Sequence, residues 1–234
     1  MPLAVRLRSA VALLGGFPAL AGADLEVAEG EVVLLQGPNG AGKTSLLRVC
    51  AGLLSVVEGE AEVLGHDLTK ERRAVRRHVG LLGHAGSLYD DLTVEENVHF
   101  TVRAAGGPVA AVAPTLARLG LDGRLRRLPV SRLSAGQRRR VAIAGIAARR
   151  PALWLLDEPH AGLDASGREM LDTLVREEVA GGATVVLASH DSDRSAALAH
   201  RVVAVSGGRV SAPGGREHGP APRAPARTGA AHVA

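Results

Sequence analysis

Three short apolar runs frame the chain: Val32-Val33-Leu34-Leu35, Leu153-Trp154-Leu155-Leu156 and Thr184-Val185-Val186-Leu187-Ala188. Each is continuous rather than alternating, which predicts strands buried on both faces of a parallel sheet. Val79-Gly80-Leu81-Leu82 reads as a further strand. Asp24-Leu25-Glu26-Val27 and Glu60–Leu64 alternate with period two, as half-buried strands do, and residues 1 to about 35 read as a set of short strands. From about Leu88 to Arg149 the pattern turns helical. Thr93-Val94-Glu95-Glu96 has the spacing of a capping box and predicts a helix running toward Arg103, which Gly106-Gly107-Pro108 ends. A second helix is expected from about Val109 to Leu119 and a third from Ser134. Arg72-Arg73 and Arg76-Arg77 predict the solvated face of a short helix. After about Ser211, Pro, Ala, Gly and Arg dominate without any apolar period, which predicts a disordered tail over 211–234.

The apolar runs end at residues that carry chemistry. The first leads directly into Gly37-Pro38-Asn39-Gly40-Ala41-Gly42-Lys43-Thr44, which fits G-x-x-x-x-G-K-[ST] at every specified place. The glycines let backbone N–H groups curl around phosphate oxygens, Lys43 brings a point charge to the β and γ phosphates, and the Thr44 hydroxyl can ligate Mg²⁺. Ser45 opens the helix that follows and joins this candidate ATP-binding set. The second run ends in Asp157-Glu158-Pro159. Carboxylates at the carboxyl end of a parallel strand point into a nucleotide crevice. Asp157 is expected to hold Mg²⁺, and Glu158 to polarise the attacking water as general base. The third run ends in Ser189-His190-Asp191, which delivers His190 to the same edge as a second catalytic candidate. Leu133-Ser134-Ala135-Gly136-Gln137 reads as a helix start: Ser134 and Gln137 stand three apart, as the S-x-x-Q box requires, and Ala135 and Gly136 leave the backbone bare to meet a phosphate.

Taken in order, Gly37–Thr44, Leu133–Gln137, Leu153–Glu158, Ala161–Asp164 and His190 resemble the motifs of the ATP-binding subunits of ABC transporters. The resemblance implies an α/β fold: a P-loop NTPase core with an N-terminal antiparallel β subdomain and an inserted α-helical signature subdomain. It places an ATPase domain over residues 1–210, with the helical insertion at about 88–149. It implies a head-to-tail dimer in which each ATP is held by Gly37–Thr44 of one subunit and by Ser134 and Gly136 of the other, and it adds Ala135, Gln137 and Asp164 to the candidate ATP-binding residues. It also implies integral membrane permease subunits as partners, met by the helical insertion and the stretch from His84 to Asp91. Most of the family carry a glutamine where this chain has His84, which puts His84 near Mg²⁺. Gly83-His84, the alanine at 135 and Leu153–Leu156 resemble one subfamily, the ATPase subunit of the haem exporter of cytochrome c maturation; Ala85 departs from its usual glutamine. Haem is then the expected cargo, with a drug or polysaccharide exporter, or a soluble ABC ATPase, as alternatives. The aromatic residue that the family often stacks on adenine corresponds in spacing to Leu14, with Phe17 nearby.

Composition narrows the partners. The net charge is +4 and the sequence pI about 10.1, but the arginines are scattered and aromatic residues make up 2%. That balance predicts no nucleic-acid partner and fits a protein beside anionic lipid. No stretch approaches the ~20 apolar residues that span a bilayer. Met1 to Leu14 is too broken for a signal peptide, and the single cysteine, Cys50, can form no internal disulfide. The expected location is therefore peripheral, at the cytoplasmic face of the membrane.

Overall fold

The computed structural model describes residues 2–83, 88–189 and 192–211. It opens on two long antiparallel strands, β1 (Leu3–Leu14) and β2 (Phe17–Ala28). Gly15 and Gly16 join them at φ 60° and 85°, the left-handed geometry of a two-residue hairpin. These strands replace the set of short ones expected from the sequence. The reason is a bulge: pairing of β1 with β2 slips between Leu7 and Ala10, where Ser9 takes a φ of 46°. The slip breaks the period-two pattern while the strand continues.

The chain then runs through β3 (Val32–Gln36), α1 (Lys43–Cys50), β4 (Val56–Val63), β5 (His66–Asp67) and a one-turn α2 (Leu68–Glu71). A 3-10 turn over Ala74–Arg77 carries part of the basic cluster into β6 (Val79–Leu82). The helical insertion follows: α3 (Val94–Ala104), α4 (Val112–Arg118) and α5 (Ala135–Ala147). Both capping boxes form, at Thr93 with Glu96 and at Ser134 with Gln137. The helix expected from Val109 divides, with a 3-10 turn at Val109–Ala111 before α4. The chain closes with β7 (Leu153–Asp157), α6 (Ala165–Ala180), β8 (Thr184–Ala188), α7 (Ser192–Ala196), β9 (Arg201–Ser206) and β10 (Arg209–Ser211).

Two sheets result. One has the order β2-β1-β4-β5 and is antiparallel. The other has the order β10-β9-β3-β8-β7-β6; it is parallel from β9 to β6, with β10 added antiparallel at its edge. The continuous apolar runs serve two cores at once, because successive strand residues point to opposite faces. Val33, Leu35, Leu155 and Val186 join α1 and the antiparallel sheet. Leu34, Leu156 and Leu187 join the helical insertion and α6. Cys50 lies wholly within the first core, and burial pushes its thiol up to about 12, so it acts as a small packing residue.

The insertion is seated by a close approach. A Cβ on Gly80 of β6 would lie 2.5 Å from Ile146 Cγ2 and 2.9 Å from Pro151 Cγ. Gly80→Ala is therefore expected to destabilise the fold by about 1–3 kcal/mol through overpacking. Denaturant unfolding of the purified variant measures this; an unchanged midpoint would mean that α5 yields without cost.

Candidate active site

Strands β3, β8 and β7 are adjacent and parallel, so their carboxyl ends share one edge. From β3 the chain turns through residues 37–42 and enters α1, with Gly42 as its N-cap at φ 108°. Two of the loop glycines are demanded by the surrounding protein as well as by any phosphate. A Cβ on Gly37 would lie 2.0 Å from the Val205 carbonyl oxygen, and one on Gly42 would lie 2.9 Å from that of Ala19. The Lys43 side chain is 7% exposed and curls back over the loop, its Nζ donating to the carbonyls of Gly37 (2.6 Å) and Pro38 (3.0 Å). Its bonded partners are neutral carbonyls, so a buried cation faces a loop of backbone N–H groups, a donor set that fits phosphate oxygens.

Thr44 Oγ1 donates to Asp157 Oδ2 at 2.8 Å, linking the start of α1 to the end of β7. A hydroxyl beside a carboxylate is a hard-oxygen pair. It suits Mg²⁺, which takes few protein ligands and fills its octahedron with water and phosphate oxygens. No cluster of three or more His, Cys, Asp or Glu suited to a metal occurs among the described residues. Glu158 follows with a φ of 47°, uncommon for a residue with a side chain. Its N–H donates to the Ala188 carbonyl (2.8 Å), and the Ser189 hydroxyl reaches its Oε2 at 3.5 Å.

The arginines after the signature turn divide their work. Arg138 bonds a carboxylate, Asp90 Oδ1, at 2.6 Å. Arg139 instead turns inward to backbone carbonyls: Gly83 (2.8 Å), Asp157 (2.8 Å) and Glu158 (2.7 Å), with Pro159 at 3.4 Å. Burial holds its guanidinium below the ordinary arginine value, while the charges of Asp157 and Glu158 oppose that shift. Sequence reasoning missed this residue because nothing in the run Arg138-Arg139-Arg140 distinguishes the arginine that turns inward. It also missed a buried bridge beside Glu158. His160 Nε2 lies 2.7 Å from Asp172 Oδ1, and Arg194 donates to Asp172 Oδ2 at 2.7 Å, tying the chain after β7 to α6 and α7. The available signal was a histidine two residues beyond a catalytic carboxylate candidate.

The loop opens on a cavity of about 720 Å³. Asn39, Gly40, Ala41, Gly42, Lys43, Thr44 and Ser45 line it together with Asp157 and Glu158. Leu14 and Phe17, 52% and 78% exposed at the β1–β2 hairpin, line the same cavity. Residues 134–137 do not. Ser134 Oγ accepts from the Gln137 N–H, and Gln137 Oε1 accepts from the Ser134 N–H, on an exposed helix end. Gly136 is there for packing too, since a Cβ would lie 2.9 Å from the Gly162 carbonyl oxygen. Asp164 caps α6, accepting from the Gly167 N–H (2.8 Å) and the Ser166 hydroxyl, and these bonds hold its carboxyl below the usual range. His84 and His190 lie outside the described residues.

Comparison with known proteins gives this geometry a lineage. Residues 20–161 match the family model described as ABC transporter. The chain is 40% identical over 178 residues to the cytochrome c biogenesis ATP-binding export protein CcmA of Nitrobacter winogradskyi, spanning 75% of this chain and 86% of that one. It is 38% identical over 208 residues to a sulfate/thiosulfate import ATP-binding protein of Chromobacterium violaceum, spanning 86% of this chain and 55% of that one. Among solved structures, a post-hydrolysis dimer of the ATP-binding cassette MJ0796 with ADP and Pi superposes with a TM-score of 0.81 at 27% identity, covering 88% of this chain and 96% of that one. A phosphate loop joined to an acidic strand end, on a cassette fold shared with these proteins, shows that the chain belongs to the ABC transporter family as an ATP-hydrolysing subunit.

Proposed function

We propose that this subunit is the ATPase motor of an exporter serving cytochrome c biogenesis, with haem as its cargo. The observation that carries the motor reading is the Thr44–Asp157 bond at the mouth of the phosphate loop, with Glu158 next in the chain. On this reading Gly37, Asn39, Gly40, Ala41, Gly42 and Ser45 surround the ATP phosphates with backbone and side-chain donors, Pro38, which has no N–H, shapes the loop, and Lys43 neutralises them. Thr44 and Asp157 hold Mg²⁺, which when bound draws charge from the β and γ phosphates. Glu158 accepts a proton from the attacking water at its carboxylate. His190 assists at the γ-phosphate and His84 meets the metal's water, both assigned from their places in the sequence.

The export reading rests on the CcmA relatives, and transport requires further chains. Among the described residues no helix is long and apolar enough to cross a membrane. The proposed partners are integral membrane permease subunits and a second ATP-binding subunit arranged head to tail, at the cytoplasmic face. The helical insertion offers a surface for the permease. Tyr89 and Phe100, 52% and 49% exposed, meet edge to face at 4.9 Å. They are two of only four aromatic residues in the chain. Buried Asn97 pins the adjoining segment by donating to the carbonyls of Tyr89, Leu92 and Thr93. The similarity to a sulfate/thiosulfate import protein favours, as a second reading, the same motor serving another cargo.

Glu158→Gln is expected to keep ATP binding and lose about 10²–10⁴ in turnover, since an amide cannot accept the water's proton. Equilibrium titration and steady-state hydrolysis separate the two; near-normal turnover would remove Glu158 from this role.

The shared arrangement of the two ATP sites predicts complementation. Lys43→Ala and Ser134→Arg should each be inactive alone, yet a mixed dimer retains one site with an intact loop and an intact signature turn. Activity should therefore return on mixing. Demonstrated mixed dimers without activity would argue against the head-to-tail arrangement.

The cargo has its own readout. Cells carrying only Glu158→Gln should make apo-cytochromes c without attached haem, while their other haem proteins stay normal. Covalent haem staining after denaturing electrophoresis shows this, and normal staining would pass the motor to another cargo.

A further inference from the structure

The Arg139 guanidinium stands where the sheet's own hydrogen bonds stop. The ladder between β6 and β7 ends at the Leu82–Leu156 pair. Beyond it lie the carbonyls of Gly83, just past β6, and of Asp157 and Glu158, at the end of β7 and just past it. Arg139 bridges them: one terminal nitrogen donates to Gly83, and the other donates to both Asp157 and Glu158. This planar fork spans acceptors at the ends of two strands, which a single ammonium cannot do with the same geometry.

The bridge falls on a residue under strain. At a φ of 47° the Glu158 backbone occupies a left-handed conformation that is strained for a residue with a Cβ and persists only where neighbours enforce it. On its N–H side the Ala188 carbonyl holds it, and on its carbonyl side Arg139 does. A turn of this peptide would move the carboxylate from its place in the cavity that Thr44 and Asp157 also line. Arg139 also lies on α5, the helix that begins at Ser134, so the signature turn and the Glu158 backbone are fastened to one rigid element.

We propose that Arg139 is a positioning residue for hydrolysis: its fork of hydrogen bonds sets the aim of Glu158 and locks that aim to Gly83, at the foot of the segment leading to the permease-facing stretch. The proposal rests on Glu158 acting as general base. Arg139 is not among the residues that line the cavity, and it acts through Glu158.

A double-mutant cycle tests it, using single-turnover hydrolysis of radiolabelled ATP by the full chain, with ATP affinity measured by titration. Arg139→Ala should lower the hydrolysis rate about tenfold or more while ATP affinity stays within about twofold. In a Glu158→Gln background the same substitution should change the residual rate by less than about twofold, because the group it positions no longer works. Arg139→Lys, which keeps the charge but not the fork, should fall between wild type and Arg139→Ala, and it takes that variant's place in the cycle if the alanine form does not fold. Additive losses in the cycle, or an affinity loss matching the rate loss, would overturn the proposal and leave the general-base reading intact. Wild-type hydrolysis by Glu158→Gln alone would overturn the general-base reading, and the proposal with it.

Discussion

Burial of α1 between the two sheets is the constraint on which the site depends. Leu46, Leu47, Val49 and Cys50 lie within one core, shared by the antiparallel sheet and one face of the parallel sheet. Leu46 and Leu47 make the helix immovable against both, since a close-packed interior resists even small shifts. Its first residues, Lys43 and Thr44, are therefore set down at the edge where β3, β7 and β8 end. Every later feature of the site, from the Thr44–Asp157 bond to the cavity under the β1–β2 hairpin, follows from where that helix is held.

The opposite face of the parallel sheet carries the second half of the molecule. Val98, Leu116 and Ile143 of the insertion share a core with Leu171 and Leu174 of α6 and with Leu34, Leu156 and Leu187 of the strands. Polar contacts then tie this half to the reacting edge. Arg139 reaches the carbonyls at the ends of β6 and β7, and Asp172 joins His160 to Arg194. Burying such groups is costly unless each finds partners. Asp172 meets this with a bond on each carboxylate oxygen, and Arg139 with carbonyls that the ladder leaves over. The signature turn, by contrast, stays on the surface: the cap closes on itself, and Ser134 and Gln137 face outward. An ATPase whose two halves are built this way has a phosphate loop in each copy and a signature end outside the cavity that the loop lines, an arrangement that suits a shared site.

The sequence by itself determined the parts governed by local rules. Continuous apolar runs marked β3, β7 and β8, because a strand covered on both faces has no polar side to show. The S-x-x-Q and T-x-x-E spacings located two helix starts, because capping bonds join residues only three apart. The order of the motifs pointed to the family and hence to the cassette fold. Tertiary structure decided what depends on residues far apart in the chain. A bulge at Ser9 merged short strands into long ones through pairing with β2 and β4. Gly37 and Gly80 are glycines because Val205, and Ile146 with Pro151, come too close for a Cβ. Arg139 is a half-buried clamp and not a free surface charge because α5 packs across two strand ends, a placement that no spacing along the chain encodes.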